Sequence, residues 1–270
     1  MKLYLSERDF QQLYWGGAKR CFVSYYFYQD LQLERLLYKN FLNGLPEIFA
    51  DSGAFQGYSM GKELSVDKYA QWLYQWKHLF IGYANLDSID SEAKTMENQE
   101  YLESCGLKPL PVFHVTSDFK QLEYLLENYD YIGLGGMVPY MKEIKKIMPW
   151  LIKCWKLKNK INSRAKFHGF GCTNWEILSK LPWYSVDSST WTVANRFGEV
   201  PIFDVLKSRF IRCKLGEWRQ WQKHASVLRS LGYDWRDFAG RKIHRSDVCK
   251  VAASSFHAAE NYLTEKWGIT

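Results

Sequence analysis

Short runs rich in aromatic and β-branched residues alternate with helix-spaced segments about every 30 residues through most of this 270-residue chain. That alternation constrains the fold more than any other feature. Strands joined through an intervening helix return to the same end of a sheet and so run parallel. The runs are Cys21–Tyr25, Glu47–Asp51, Ile81–Asp87, Pro111–Val115, Tyr131–Leu134, Lys166–Phe170 and Trp183–Asp187. Their lengths suit buried strands better than helices. Between them, Val66, Tyr69, Ala70, Leu73 and Trp76 form one apolar helical stripe, and Phe119, Leu122, Leu125 and Leu126 form another, with Ser117 or Asp118 placed to cap it. Trp72 and Trp76, four apart, read as packing against a barrel wall. An eighth strand is expected near Val200–Phe203 or Phe210–Arg212. The pattern predicts an α/β fold, a (β/α)8 TIM-like barrel over residues 1–205, with an open doubly wound sheet as the alternative. Residues 206–270 read as a basic, aromatic-rich, helical C-terminal extension packed on the barrel.

Composition matters here for where the charge lies. The net +7 divides into −6 over residues 1–141, +8 over 142–166, −2 over 167–206 and +7 over 207–270. Two basic blocks of this size point to a polyanionic partner, although a solvated helix face is the commoner meaning of either block alone. No apolar run is long enough to span a bilayer, and the start turns charged at Glu7, Arg8 and Asp9, too early for a signal peptide. A cytoplasmic protein with no membrane partner is expected. The six cysteines are scattered without a C-x-x-C pair and read as small buried residues.

In a barrel of this kind the carboxyl ends of the strands share one mouth, where chemistry is placed. Those ends bring Asp51, Asp87, His114, Gly135, Gly136, His168 and Asp187 to one rim. Three carboxylates exceed what a core requires. Asp51, followed by Ser52 and Gly53, is placed either for acid/base work or as a cap on the next helix.

Taken in order, Asp51-Ser52-Gly53-Ala54-Phe55-Gln56, then Asp87, then Gly133-Leu134-Gly135-Gly136, then His168-Gly169-Phe170-Gly171, then Val186-Asp187-Ser188 resemble the tRNA-guanine transglycosylases. The resemblance covers roughly Phe49 to Trp191 and is greatest to the phage and bacterial DpdA family, which exchanges guanine in DNA for a 7-deazaguanine base. It implies a glycosyltransferase acting through a covalent glycosyl-aspartate. Asp187 would be the nucleophile on C1′ and Asp51 the general acid/base. Asp87 would pair with the guanine N1–H and 2-amino group, with Ser52 beside it in the base-binding set. Gly135 and Gly136 would offer N–H groups to O6, and Phe55 would stack on the base. His168 takes the place where relatives often carry methionine on the other face of the base. His114 takes the place of a glutamine that reads O6 or the 7-substituent. Either histidine has a buried, hydrogen-bonded core role as its alternative.

Members acting on tRNA carry C-x-C-x-x-C and a later histidine that bind zinc. Cys213 and Cys249 lie far apart here and His257 stands alone, so no zinc and no other cofactor is expected. DNA is therefore the favoured substrate, in a phage-encoded setting within a bacterial host, with tRNA as the alternative and a free 7-deazaguanine base such as 7-cyano-7-deazaguanine as co-substrate. The target base would be flipped out of the stack. Lys145, Lys146, Lys153, Arg209, Arg212, Arg219, Arg241, Lys242 and Arg245 are the candidate phosphate contacts, and Trp218, Trp221 and Trp235 are either wedges or core residues. A catalytically silent nucleic-acid-binding subunit and a hydrolase using the same two carboxylates complete the alternatives.

Overall fold

The computed structural model describes residues 1–141, 143–193, 197–240 and 243–269. Eight parallel strands form one curled sheet: β1 (Lys2–Ser6), β2 (Arg20–Ser24), β3 (Glu47–Asp51), β4 (Gly82–Tyr83), β5 (Val112–His114), β6 (Tyr131–Gly135), β7 (Lys166–Gly169) and β8 (Ser185–Ser188). Each strand pairs with its sequence neighbour, and β1 pairs with β8 in the register Lys2–Ser185 to Leu5–Ser188. The remaining gap is bridged between Ala84 and Leu110, where Asn85 N–H donates to Leu110 O at 2.9 Å and Leu110 N–H to Tyr83 O at 2.8 Å. The result is a TIM-like (β/α)8 ring.

Helices cover its outside: α1 (Phe10–Trp15), α2 (Tyr25–Tyr28), α3 (Leu33–Asn40), α4 (Ala54–Ser59), α5 (Val66–Trp76), α6 (Glu92–Ser104), α7 (Phe119–Asn128), α8 (Ile144–Ile161) and α9 (Trp175–Lys180). The two expected apolar stripes are α5 and α7. Ser65 caps the first through Lys68 N–H, and Asp118 rather than Ser117 caps the second through Lys120 N–H. Trp72 and Trp76 are buried on α5, as their spacing indicated.

The eighth strand differs from expectation. It is β1, at the very start of the chain. The two segments proposed for it form instead an antiparallel hairpin, β9 (Glu199–Asp204) and β10 (Arg209–Lys214), outside the barrel. They share the strand composition, but a hairpin six residues long on each side satisfies its own ladder and has no need of a parallel partner. This hairpin crosses the expected boundary at 205/206. Beyond it lie α10 (Trp218–Lys223), α11 (Ala225–Ser230) and the long α12 (Arg245–Trp267), which packs against β9, β1 and α1. Among the described residues no helix is long and apolar enough to cross a membrane.

Strand side chains alternate with period two, and the alternation separates two cores. Leu3, Leu5, Cys21, Val23, Ile48, Ala50, Phe167 and Val186 face the helices. Tyr4, Phe22, Phe49 and Leu110 fill the barrel interior, joined by Tyr131 and Phe170. Stepping two residues on from Phe49 gives Asp51, and from Ser185 gives Asp187. Alternation therefore aims both carboxylates inward, one layer above the interior plug.

The N-terminal strand is anchored through α12. Glu260, buried there, accepts Leu3 N–H at 3.0 Å and the Arg20 guanidinium at 2.6 Å. Burial works to raise its carboxyl, but hydrogen bonds from His257 and Leu3 and the Arg20 charge outweigh it and hold the pKa low. Removing the acceptor strands a strand N–H and a cation together, so Glu260→Ala should cost about 2–3 kcal/mol. Urea unfolding of the variant checks this, and Glu260→Gln, which keeps an acceptor, should lose less.

Candidate active site

The carboxyl ends of the strands surround a cleft of about 1030 Å³. Its walls include Asp51 from the end of β3, Asp87 from the loop after β4, His114 from the end of β5, Gly135 and Gly136 after β6, and Asp187 from β8. Seven of the nine residues nominated for catalysis or base contact, Phe55 included, thus line one space. Phe55 lies in the first turn of α4 and is 42% exposed.

The sharp turn that carries Asp51 depends on Gly53. Its φ is +74°, and a Cβ there would lie 2.3 Å from Tyr26 Cβ and 2.6 Å from Ser24 Oγ. No other residue allows this loop to fold back on β2. Asp51 itself is pushed up to about 7, first by burial and then by the charges of Asp87 and Asp187. A carboxyl that carries its proton near neutrality can both give and take one during a reaction cycle.

Asp87 is tethered on both oxygens. His114 Nε2 lies 2.6 Å from Oδ2, and Ser52 Oγ donates to Oδ1 at 3.5 Å. Ser52 is fully buried, so it supports Asp87 from behind the cleft wall. Gly135 lets this happen: a Cβ there would approach the His114 ring to 3.1 Å. Gly136 follows with φ +70°, which directs the turn at the cleft. Asp187 is oriented by Gly171 N–H, which donates to Oδ1 at 2.7 Å.

His168 departs from the expected position. It is fully buried and lies beneath the cleft, in the interior plug, rather than on its wall. Its ring is near-parallel to Phe22 and to Phe49, each 5.6 Å away between centroids, because on β7 it occupies the inward position one layer below the rim. It cannot stack on a ligand in the cleft. Phe170, which reaches the cleft, packs edge-on against it at 4.6 Å.

The basic candidates separate into distinct settings. Arg245 begins α12 and lines the cleft. Lys145 and Lys146 sit in the first turn of α8, just beyond the cleft residue Met141. Lys146 pairs with Glu143, Arg212 with Glu199 at 3.4 Å, and Lys153 lies over the Phe119 ring. Arg209 and Arg219 are exposed, the latter beside the Trp218 ring. Arg241 and Lys242 lie outside the described residues. Of the tail aromatics, Trp221 is a core residue stacked on Phe238 at 4.6 Å and is no wedge, while Trp218 is 45% exposed. Among the described residues no three His, Cys, Asp or Glu side chains are grouped to hold a metal ion, and His257 is paired with Glu260.

The loop Ser6–Asp9 was not anticipated at the mouth, yet it lines the cleft and brings Arg8 to it. The signal was present: Leu3-Tyr4-Leu5 followed by a polar turn is a strand end like the others.

Asp51 also links the site to stability. A raised folded-state pKa means that the folded chain binds a proton between about pH 4 and 7 that the unfolded chain has released, so stability falls as pH rises across that window. Asp51→Asn removes the loss. Its Tm should exceed that of the parent by roughly 3–6 °C at pH 8 and match it at pH 4. Thermal unfolding at the two pH values decides this.

Neither models of known protein families nor the curated proteins yield a match to this chain.

Proposed function

We propose that the chain is a DNA-guanine transglycosylase that exchanges guanine for a 7-deazaguanine base. The observation that carries the reading is the pairing of two unlike carboxylates on one cleft. Asp51 holds a proton near neutrality, while Asp187 is oriented by a backbone N–H and directed into the same space.

In the first half-reaction Asp187 Oδ attacks C1′ of a flipped-out nucleotide, the C1′–N9 bond breaks, and Asp51 gives its proton to the departing guanine. The product is a glycosyl-aspartate ester. In the second half, the incoming base loses its N9 proton to Asp51 and its nitrogen displaces Asp187 from C1′. Two inversions retain the β-linkage, and Asp51 ends as it began. Asp87, held by His114 and Ser52, supports recognition of a base edge that presents adjacent donors, as guanine and its 7-deaza analogues do. A cleft of about 1030 Å³ accommodates a nucleotide with room for a 7-substituent. Such chemistry belongs in the bacterial cytoplasm, where DNA and the free base meet.

Incubating the protein with labelled guanine or 7-cyano-7-deazaguanine and DNA or tRNA tests the reading directly. Label should enter DNA; entry into tRNA alone would move the substrate to RNA, and entry into neither rejects the exchange. Asp187→Ala should abolish both exchange and a denaturation-resistant adduct with nucleic acid.

Arg8 and Arg245 sit on the cleft in positions suited to phosphates flanking the flipped base. Each change to alanine should weaken binding at every sequence alike and lower the slope of log affinity against log salt by about 1. Titrations at several salt concentrations measure that slope.

A further inference from the structure

A hydrogen-bonded chain crosses the barrel interior beneath the nucleophile. Tyr131 Oη, at the opposite mouth, lies 2.5 Å from Ser185 Oγ, which lies 2.7 Å from His168 Nδ1. On the far side of the ring, His168 Nε2 is a buried nitrogen with no hydrogen-bond partner, and Asp187 Oδ1 lies 3.5 Å from it. Leaving such a nitrogen unbonded in an aromatic core is costly, which marks the contact with Asp187 as the one it is built to make.

The direction of the protons follows from the inventory of donors. A phenol is a stronger acid than an alcohol, so Tyr131 donates to Ser185. The single Ser185 proton is then free for His168 Nδ1. With Nδ1 accepting, the ring's proton resides on Nε2, pointing at Asp187. The opposite polarity would turn a nitrogen lone pair against a carboxylate oxygen in a buried site and leave the Ser185 proton without the His168 acceptor.

We propose that His168 is a positioning residue whose Nε2–H donates to Asp187 Oδ1 and, together with Gly171 N–H, fixes that carboxylate for attack. Its role in attack rests on the transglycosylase reading; the bond itself does not. The separation of 3.5 Å is long for a hydrogen bond, and such contacts tighten when substrate fills the site. The near-parallel Phe22 and Phe49 rings hold the imidazole in plane, so it acts as a fixed dipole rather than a mobile acid.

Nitrogen-15 histidine labelling of the full chain at pH 8 reads the tautomer. His168 should carry its proton on Nε2, and Asp187→Ala should shift that Nε2–H resonance. An Nδ1-protonated ring, or a resonance indifferent to Asp187→Ala, overturns the proposal. In the exchange assay His168→Phe, which keeps an aromatic plug, should lower kcat by roughly 10- to 100-fold with KM for nucleic acid unchanged. His168→Gln, which restores an N–H donor, should recover part of it. An unchanged kcat in folded His168→Phe rejects the positioning role. If the parent protein performs no exchange, the transglycosylase reading fails, and the tautomer and resonance shift still decide whether the bond exists.

Discussion

The aromatic plug inside the barrel is the element on which the rest depends. Phe22, Phe49 and His168 lie near-parallel with pairwise centroid separations of 5.6 Å, and Tyr4 meets Phe49 edge-on at 5.7 Å. Each side chain comes from a different strand and occupies the inward position of its pleat. The plug separates the two mouths of the barrel: Phe22 contributes to the cleft, while Tyr4 and Phe49 contribute to a second hollow at the opposite end. It also excludes water from below the carboxylates. Burial is accordingly the largest cause of the raised Asp51 pKa, ahead of its two acidic neighbours. The same rings that stabilise the core make the site chemically distinctive and thermodynamically expensive.

That cost is visible in the choice of neighbours. Three carboxyl groups share one cleft, where the charges of Asp87 and Asp187 help raise the Asp51 pKa, and the arginines that line it, Arg8 and Arg245, are exposed at its walls. A chain selected for stability alone would place a salt bridge or an apolar residue there. Strain of this kind is characteristic of sites that bind or react, since a ligand carrying complementary donors relieves it. Stability elsewhere must compensate, and the Glu260 anchor that holds β1 and β2 to α12 is one such contribution.

Much of this was legible in the residues. Seven strands, the stripes of α5 and α7 and the rim aspartates follow from period-two and period-3.6 patterning, which is local information. What escaped was non-local. β1 opens the chain ahead of the first strand–helix repeat, and its identity as a barrel strand rests on pairing with β8, far along the chain. Missing it also hid Arg8. His168 was correctly placed in a strand next to the site, but one layer too high, because motif order fixes position along the chain and not depth in the barrel. For Trp221 the residues left a wedge and a core role both open, because an aromatic beside a base reads the same whether it faces solvent or Phe238, and the structure places it in the core.

The Asp87–His114 pair shows how geometry narrows a role that order alone leaves open. A histidine at the end of β5 could read the carbonyl edge of a base, but here Nε2 is committed to Asp87 at 2.6 Å. Nδ1 faces the Gly136 turn, 3.5 Å from where a Cβ would sit. His114 is therefore better suited to fixing Asp87, just as Ser52 does from the opposite side, than to contacting O6. On the transglycosylase reading proposed above, contact with O6 would fall to the backbone N–H groups of the glycine turn. A carboxylate held through both oxygens lines the same cleft as the Gly135–Gly136 turn. On the transglycosylase reading, that carboxylate would favour guanine, whose edge presents adjacent donors, over adenine.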